Sequence, residues 1–170
     1  MNHVLYLSHN GMTEPLGQSQ VLPYLRGVCQ GAASRVTLLA CEPPGTSATD
    51  TARLAAELAP LGIRYLPLQH AASSALLDKG RDSLALLRRG LRIAAQEPPT
   101  LIHARGQLPT AVALALRAAH PSARVLFDCR GLLSDEYVDM GHWRRGEPRQ
   151  RLTAAVDARL WQRADAAVVL

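Results

Sequence analysis

The chain is predicted to be an α/β protein with a doubly wound, mainly parallel sheet, on three observations. Six short apolar runs recur along it, amphipathic stretches of helical length separate them, and glycine or proline marks the joints. Short continuous apolar runs bounded by turn residues are the pattern of strands buried on both faces. Their alternation with helices builds right-handed strand–helix–strand crossovers.

The apolar runs occupy residues 4–7, 35–40, 63–68, 101–104, 124–127 and 166–170, and each is taken as a strand. Helical periodicity covers residues 18–33, 50–61, 76–96, 107–119 and 149–163. Gly62 directly after Leu61 is a helix C-terminal glycine. Pro98-Pro99 ends the longest helix, and Pro43-Pro44-Gly45 closes the second strand in a loop. If the first helix starts near Ser19, Pro23 falls in or just past its first turn, where a missing N–H costs little. Val21, Leu22, Leu25, Val28 and Cys29 then form its core stripe.

On the helix of residues 76–96, Leu84, Leu87, Leu91 and Ala94 recur at core spacing. Arg81, Arg88 and Arg92 fall on an adjoining stripe with Arg89 beside it, and Leu86 and Ile93 form a second apolar strip on the far side. That side reads either as solvated or as a face for peripheral contact with an anionic membrane.

The chain has 170 residues, 48% of them hydrophobic and 19% charged, with a mean hydropathy near zero. This is one domain over residues 1–170 with enough chain for a sizeable core, and it excludes disordered, collagenous and simple coiled-coil classes. The last apolar run reaches Leu170 with no terminating residue, so a longer polypeptide is expected to continue past it. The net charge of +5 permits nucleic acid, anionic membrane or phosphorylated substrates without choosing among them. Aromatic residues are only 4%, which argues against a nucleic-acid reader that stacks bases.

Lys79 is the only lysine, so the basic side chains are otherwise arginines. Cys29, Cys41 and Cys129 are odd in number and form no Cys-x-x-Cys. Neither a disulfide framework nor a zinc site is expected, and a reducing compartment is the default. Residues 1–10 lack the charged and apolar regions of a signal peptide. No apolar run approaches the roughly 18 residues of a membrane span. A cytoplasmic location follows as the expectation, with peripheral attachment at the inner face of the membrane as an option.

In open α/β sheets ligands bind beyond the carboxyl ends of the strands, so the loops that follow strands carry the chemistry. The first, residues 8–20, is long, holds Gly11 and Gly17, and opens a helix whose amides could receive an anion. It has neither the Gly-x-Gly-x-x-Gly spacing of dinucleotide sites nor the Gly-Lys-Ser/Thr of a phosphate loop. An ordinary loop with Ser19 capping the helix fits as well. After the fourth strand come His103 and Arg105, the latter placed to grip a phosphate or carboxylate. After the fifth come Asp128, Arg130, Gly131, Asp135 and Glu136. Asp128 beside Arg130 reads as a polar anchor for a sugar hydroxyl or as a structural ion pair. The Trp143-containing segment 141–149 is basic and glycine-flanked, and reads as a mobile loop that contacts an acceptor or lipid headgroups. No nucleophile elbow, Ser–His–Asp order or metal-ligand cluster emerges, so hydrolysis is not supported and no metal or cofactor is expected.

Residues 11–25 (Gly11-Met12-Thr13-Glu14-Pro15-Leu16-Gly17-Gln18-Ser19-Gln20, then Val21-Leu22-Pro23-Tyr24-Leu25) resemble the N-terminal segment of a bacterial branch of the family 4 (group 1) glycosyltransferases. His103-Ala104-Arg105-Gly106, Phe127-Asp128-Cys129-Arg130-Gly131 and Asp135-Glu136 are similar to later motifs of that branch, and residues 163–170 to the segment entering its last N-domain strand. The resemblance implies the N-terminal, acceptor-side half of a GT-B fold, Rossmann-like, facing a C-terminal domain of the same polypeptide that holds most of a nucleoside-diphosphate sugar.

The resemblance further implies a retaining transferase that moves a sugar to a carbohydrate or lipid-linked acceptor in polysaccharide synthesis, with this half alone inactive. By the same resemblance Gly17, Gln18 and Ser19 contact the donor phosphates. Asp128 and Arg130 become the catalytic candidates, and His103, Arg105, Asp135 and Glu136 contact acceptor or sugar. Many members of the family carry a histidine where this chain has Asp128. Two other readings compete, a GT-B nucleotide-sugar epimerase and a non-enzymatic flavodoxin-like binding module.

Overall fold

The computed structural model describes residues 2–32, 34–70 and 76–169. Ala33 and Leu170, the expected ends of the first helix and last strand, lie outside them.

The apolar runs form six strands: β1 (His3–Ser8), β2 (Arg35–Glu42), β3 (Ile63–Gln69), β4 (Leu101–Arg105), β5 (Arg124–Cys129) and β6 (Ala166–Val169). They pair in one sheet in the order β3-β2-β1-β4-β5-β6, every pair parallel. Helices α1 (Leu22–Ala32), α2 (Ala48–Leu58), α3 (Leu76–Gln96), α4 (Gln107–Ala119), α5 (Leu133–Asp139) and α6 (Pro148–Arg163) connect them. The order runs outward in one direction from β1 to β3 and in the other from β4 to β6. The crevice between β1 and β4 is therefore the topological switch point.

Alternation along β1 divides the core. Val4 and Tyr6 face α1 and α2, joining Met12, Leu22, Leu25 and Leu58. Leu5 and Leu7 face α3 and α4, joining Leu86, Ile102, Leu116 and Val125. The joints behave as expected. Gly62 adopts a left-handed φ of 79° and donates to the Ala59 carbonyl at 3.1 Å, and α3 stops before the two prolines.

Three expectations are corrected. Helical backbone begins at Pro15, not near Ser19: Gln18 N already donates to Glu14 O at 3.0 Å. Ser19 therefore caps nothing, and its hydroxyl donates back to Pro15 O at 2.7 Å. Pro23 then lies in the helix interior. A π turn at Gly17–Val21 precedes it, and Leu22 N reaches back to Gly17 O. Widened turns of this kind accompany a break in the regular ladder.

The face of α3 is also rotated from the expected one. Leu86, Ile93 and Ala94 are buried while Leu84 is exposed. The reason is that α3 packs on α4 as well as on the sheet. Gly90 lies so close to Leu116 that a Cβ would stand 2.8 Å from its Cδ1. The apolar strip offered to a membrane is thus core. Third, the short helix α5 was not expected.

No described helix is long and apolar enough to cross a membrane.

Candidate functional site

The parallel register decides which polar side chains meet. Tyr6 pairs with His103 across β1 and β4, and Arg105 pairs with Asp128 across β4 and β5. The period of two along a strand puts all four on the α1 face, at the carboxyl end. α1 and its leading turn supply Gln20 and Tyr24, and the β5 loop supplies Arg130. With Val168 these residues line a pocket of about 290 Å3, near the lower bound of about 300 Å3 for ligand pockets.

Asp128 is its centre. Its Oδ2 accepts from Arg105 Nη1 at 3.1 Å and lies 3.7 Å from His103 Nε2 and 3.5 Å from the Tyr6 hydroxyl. Burial pushes the Asp128 carboxyl up, but the His103 ring and Arg105 guanidinium outweigh burial and hold it below the ordinary aspartate range. It is an anion at neutral pH. Burial, then the Asp128 charge, raises the Tyr6 phenol far above its ordinary value, and the same two causes raise Tyr24 more mildly. Both tyrosines are neutral hydroxyl donors.

The sequence left open an Asp128–Arg130 ion pair, but the partner of Asp128 is Arg105. Arg130 instead turns to Gln20, whose Oε1 accepts from Arg130 Nη2 at 2.8 Å and from Arg105 Nη2 at 2.6 Å. The pocket therefore holds two guanidiniums against one carboxylate. This leaves a positive surplus suited to an anionic or hydroxyl-rich ligand.

The other expected residues lie apart. Gly17 is buried, and a Cβ on it would stand 2.4 Å from Gly11 O and 2.6 Å from Met12 Cα. Its lack of a side chain lets the helix start press on the β1 loop. Gln18 Nε2 donates to Met12 O at 2.7 Å, fastening the same loop. Asp135 pairs with Arg145 at 3.4 Å and faces a neighbouring groove with Cys129, Gln150 and Trp161. Glu136 sits against Gly131, where a Cβ would collide with its carboxylate. Neither acid lines the Asp128 pocket. Trp143 is packed, 4.5 Å from the Tyr137 ring with Arg149 stacked over it, so the 141–149 segment is anchored.

Residues that the sequence did not flag shape the site as much. Tyr6 lies in no motif, and Gln20 and Tyr24, although inside the 11–25 segment, are not among the expected site residues. Glu42, at the end of β2, is 1% exposed and organises the β1 loop. It accepts from Met12 N at 2.5 Å, from Thr13 N at 3.3 Å, from the Thr13 hydroxyl at 2.5 Å and from the Tyr65 hydroxyl. A buried carboxylate is tolerable only with such donors. The signal was an acid ending an otherwise apolar strand. His9, His70 and Asp82 also converge, although 61 and 12 positions separate them in sequence.

A hollow of about 370 Å3 lies at the opposite, amino end of the strands, lined by His3, Arg35, Arg64 and Glu97. Ion pairs from Arg35 and Arg64 to Glu97, at 2.7 and 3.3 Å, brace it. It is off the carboxyl edge where α/β sheets bind ligands.

Solved structures share the fold. Phytolacca americana UGT2, complexed with UDP-2fluoro-glucose and pterostilbene, superposes with a TM-score of 0.61 at 10% identity over 99% of this chain and 47% of its own. Acinetobacter baumannii MurG gives 0.54 at 14% identity over 99% and 41%. UDP-GlcNAc 2-epimerase from Methanocaldococcus jannaschii gives 0.57 at 11% identity over 99% and 39%. The chain spans less than half the length of each. No curated protein sequence matches it. A family model described as a glycosyl transferase 4-like domain matches residues 20–170, which include every residue of the Asp128 pocket except Tyr6. The chain belongs to the glycosyl transferase 4-like domain family and has the fold of the N-terminal domain of GT-B glycosyltransferases.

Proposed function

We propose that this chain is the acceptor-side half of a retaining glycosyltransferase, which moves a sugar from a nucleoside-diphosphate sugar to a carbohydrate or lipid-linked acceptor. The observation that carries the reading is the Arg105–Asp128–Arg130 pocket at the switch point of a chain of this family. Asp128 accepts a sugar or acceptor hydroxyl, while Arg130 and Arg105 offset the charge that develops on the departing diphosphate. Tyr6 and Tyr24, neutral donors on the same wall, hold hydroxyls. No side chain here is placed as an activated nucleophile, in keeping with attack from the leaving-group face. Gly17 and Gln18 act through the β1 loop they fasten, and Ser19 is exposed beside it. A second domain facing this edge supplies the remaining donor contacts. The UDP-2fluoro-glucose complex of Phytolacca americana UGT2 supports a nucleotide-sugar donor.

A nucleotide-sugar epimerase is the second reading. His103 and Asp128 in one pocket and the likeness to the Methanocaldococcus jannaschii epimerase favour it. Nucleotide release by the full-length protein separates the two. A transferase releases nucleoside diphosphate in proportion to acceptor glycosylated, whereas an epimerase interconverts the nucleotide-sugar with acceptor omitted.

A further inference from the structure

His9 follows β1, His70 follows β3 and Asp82 lies in the second turn of α3, all on the side of the carboxyl edge away from the Asp128 pocket. His70 Nε2 is 2.6 Å from the His9 carbonyl oxygen. A carbonyl only accepts, so Nε2 carries the hydrogen and the neutral ring directs the Nδ1 lone pair outward. Nδ1 meets Asp82 Oδ2 at 2.6 Å. Two lone pairs do not approach so closely unless a proton or a cation lies between them. His9 Nε2 aims at the same carboxylate oxygen from 3.6 Å, buried and with no hydrogen-bond partner among the described residues. Three donor atoms, two imidazole nitrogens and one carboxylate oxygen, thus lie within 4.8 Å of one another.

We infer that these residues bind a divalent first-row transition ion of the zinc class, through His9 Nε2, His70 Nδ1 and Asp82 Oδ2. The donor set and spacing fit. Metal–nitrogen bonds of about 2.0 Å in tetrahedral geometry set ligand atoms about 3.3 Å apart. The His9–Asp82 separation is already near this, and the His70–Asp82 contact opens by a fraction of an ångström when the ion replaces the shared proton. The bond from His70 Nε2 to the His9 carbonyl is the outer contact that fixes a ligating imidazole. Three protein ligands leave a fourth position for water or another oxygen ligand. The ion would tie the β1 loop to β3 and α3, and it is independent of the proposed transferase activity.

The test is Zn2+ titration of the whole chain, free of any polyhistidine tag and stripped with chelator, followed by calorimetry and by thermal unfolding with and without the ion. One ion per chain is expected, with a raised melting temperature that chelator reverses. Cobalt substituted for zinc should give the visible absorption of a tetrahedral site. His9→Gln breaks no side-chain hydrogen bond described here, so it should fold and weaken binding about tenfold or more. Asp82→Asn should do the same, and if it fails to fold His9→Gln decides. His142→Gln, on an exposed histidine, should bind as the wild type does. Absence of stoichiometric binding, equal binding by His9→Gln, or loss in His142→Gln would overturn the inference.

Discussion

Arg105 and Asp128 stand opposite each other on β4 and β5, and their side chains meet at 3.1 Å with both residues only 8% exposed. A buried pair of this kind resists removal of one partner more than removal of both. Arg105→Met leaves Asp128 buried without its cation and should cost about 3–5 kcal/mol. The double variant Arg105→Met/Asp128→Leu should lose markedly less. Denaturant unfolding of the two single variants and the double closes the cycle; equal and additive losses would show that the pair is not coupled.

Acid stability should carry the signature of the same carboxylate. Asp128 titrates lower in the fold than in the unfolded chain. Its contribution is therefore complete above the unfolded aspartate value of about 3.9 and fades as the pH falls through the lower folded value. Asp128→Asn should be less stable than the wild type at neutral pH, and the gap should narrow in acid. Chemical denaturation at a series of pH values measures it, and a constant gap would contradict the assignment.

Glycine substitutions should differ in sign. A methyl on Gly17 meets the backbone of Gly11 and Met12, which cannot swing aside, and Gly17→Ala should cost about 1–3 kcal/mol. Gly27, exposed on α1, has nothing within 4 Å of its Cβ position. Gly27→Ala should stabilise by about 0.5–1 kcal/mol through helix propensity and a less free unfolded chain. Melting temperatures of the two variants decide it.

Glu42 organises the loop that precedes the helix. Glu42→Gln keeps the shape but turns an NH2 toward groups that are themselves donors. Each lost hydrogen bond to a charged group removes about 1.5–3 kcal/mol. Amide exchange at Met12 and Thr13 should accelerate; unchanged protection there would show that the carboxylate is dispensable.

The six strands were legible because each is rich in apolar residues, and Gly62 and the proline pairs announced their joints. Against the expectation of burial on both faces, β3 is buried only on alternate residues and β6 is exposed. The short helix α5 escaped because seven residues carry too little periodicity. The face of α3 was misread because Leu86 and Leu84 are equally apolar, and only the approach of Leu116 to Gly90 shows which is inside. At the site, His103, Arg105, Asp128 and Arg130 were visible as polar residues at strand ends. Their pairing was not, since it depends on the register of β4 against β5. Tyr6 looks like an ordinary core residue, and Gln20 and Tyr24 stand in the 11–25 segment with nothing to mark them as pocket residues until the sheet brings the three together. The group of His9, His70 and Asp82 depends on contacts between segments far apart in the chain, which no spacing rule reaches.

The most direct test of the account is donor-dependent transfer by the full-length protein with Asp128→Ala and Arg130→Ala beside the wild type. Both side chains face the transition state in this reading, so kcat should fall by about a hundredfold in each while circular dichroism shows an intact fold. Wild-type turnover in both variants would remove the Asp128 pocket from the chemistry.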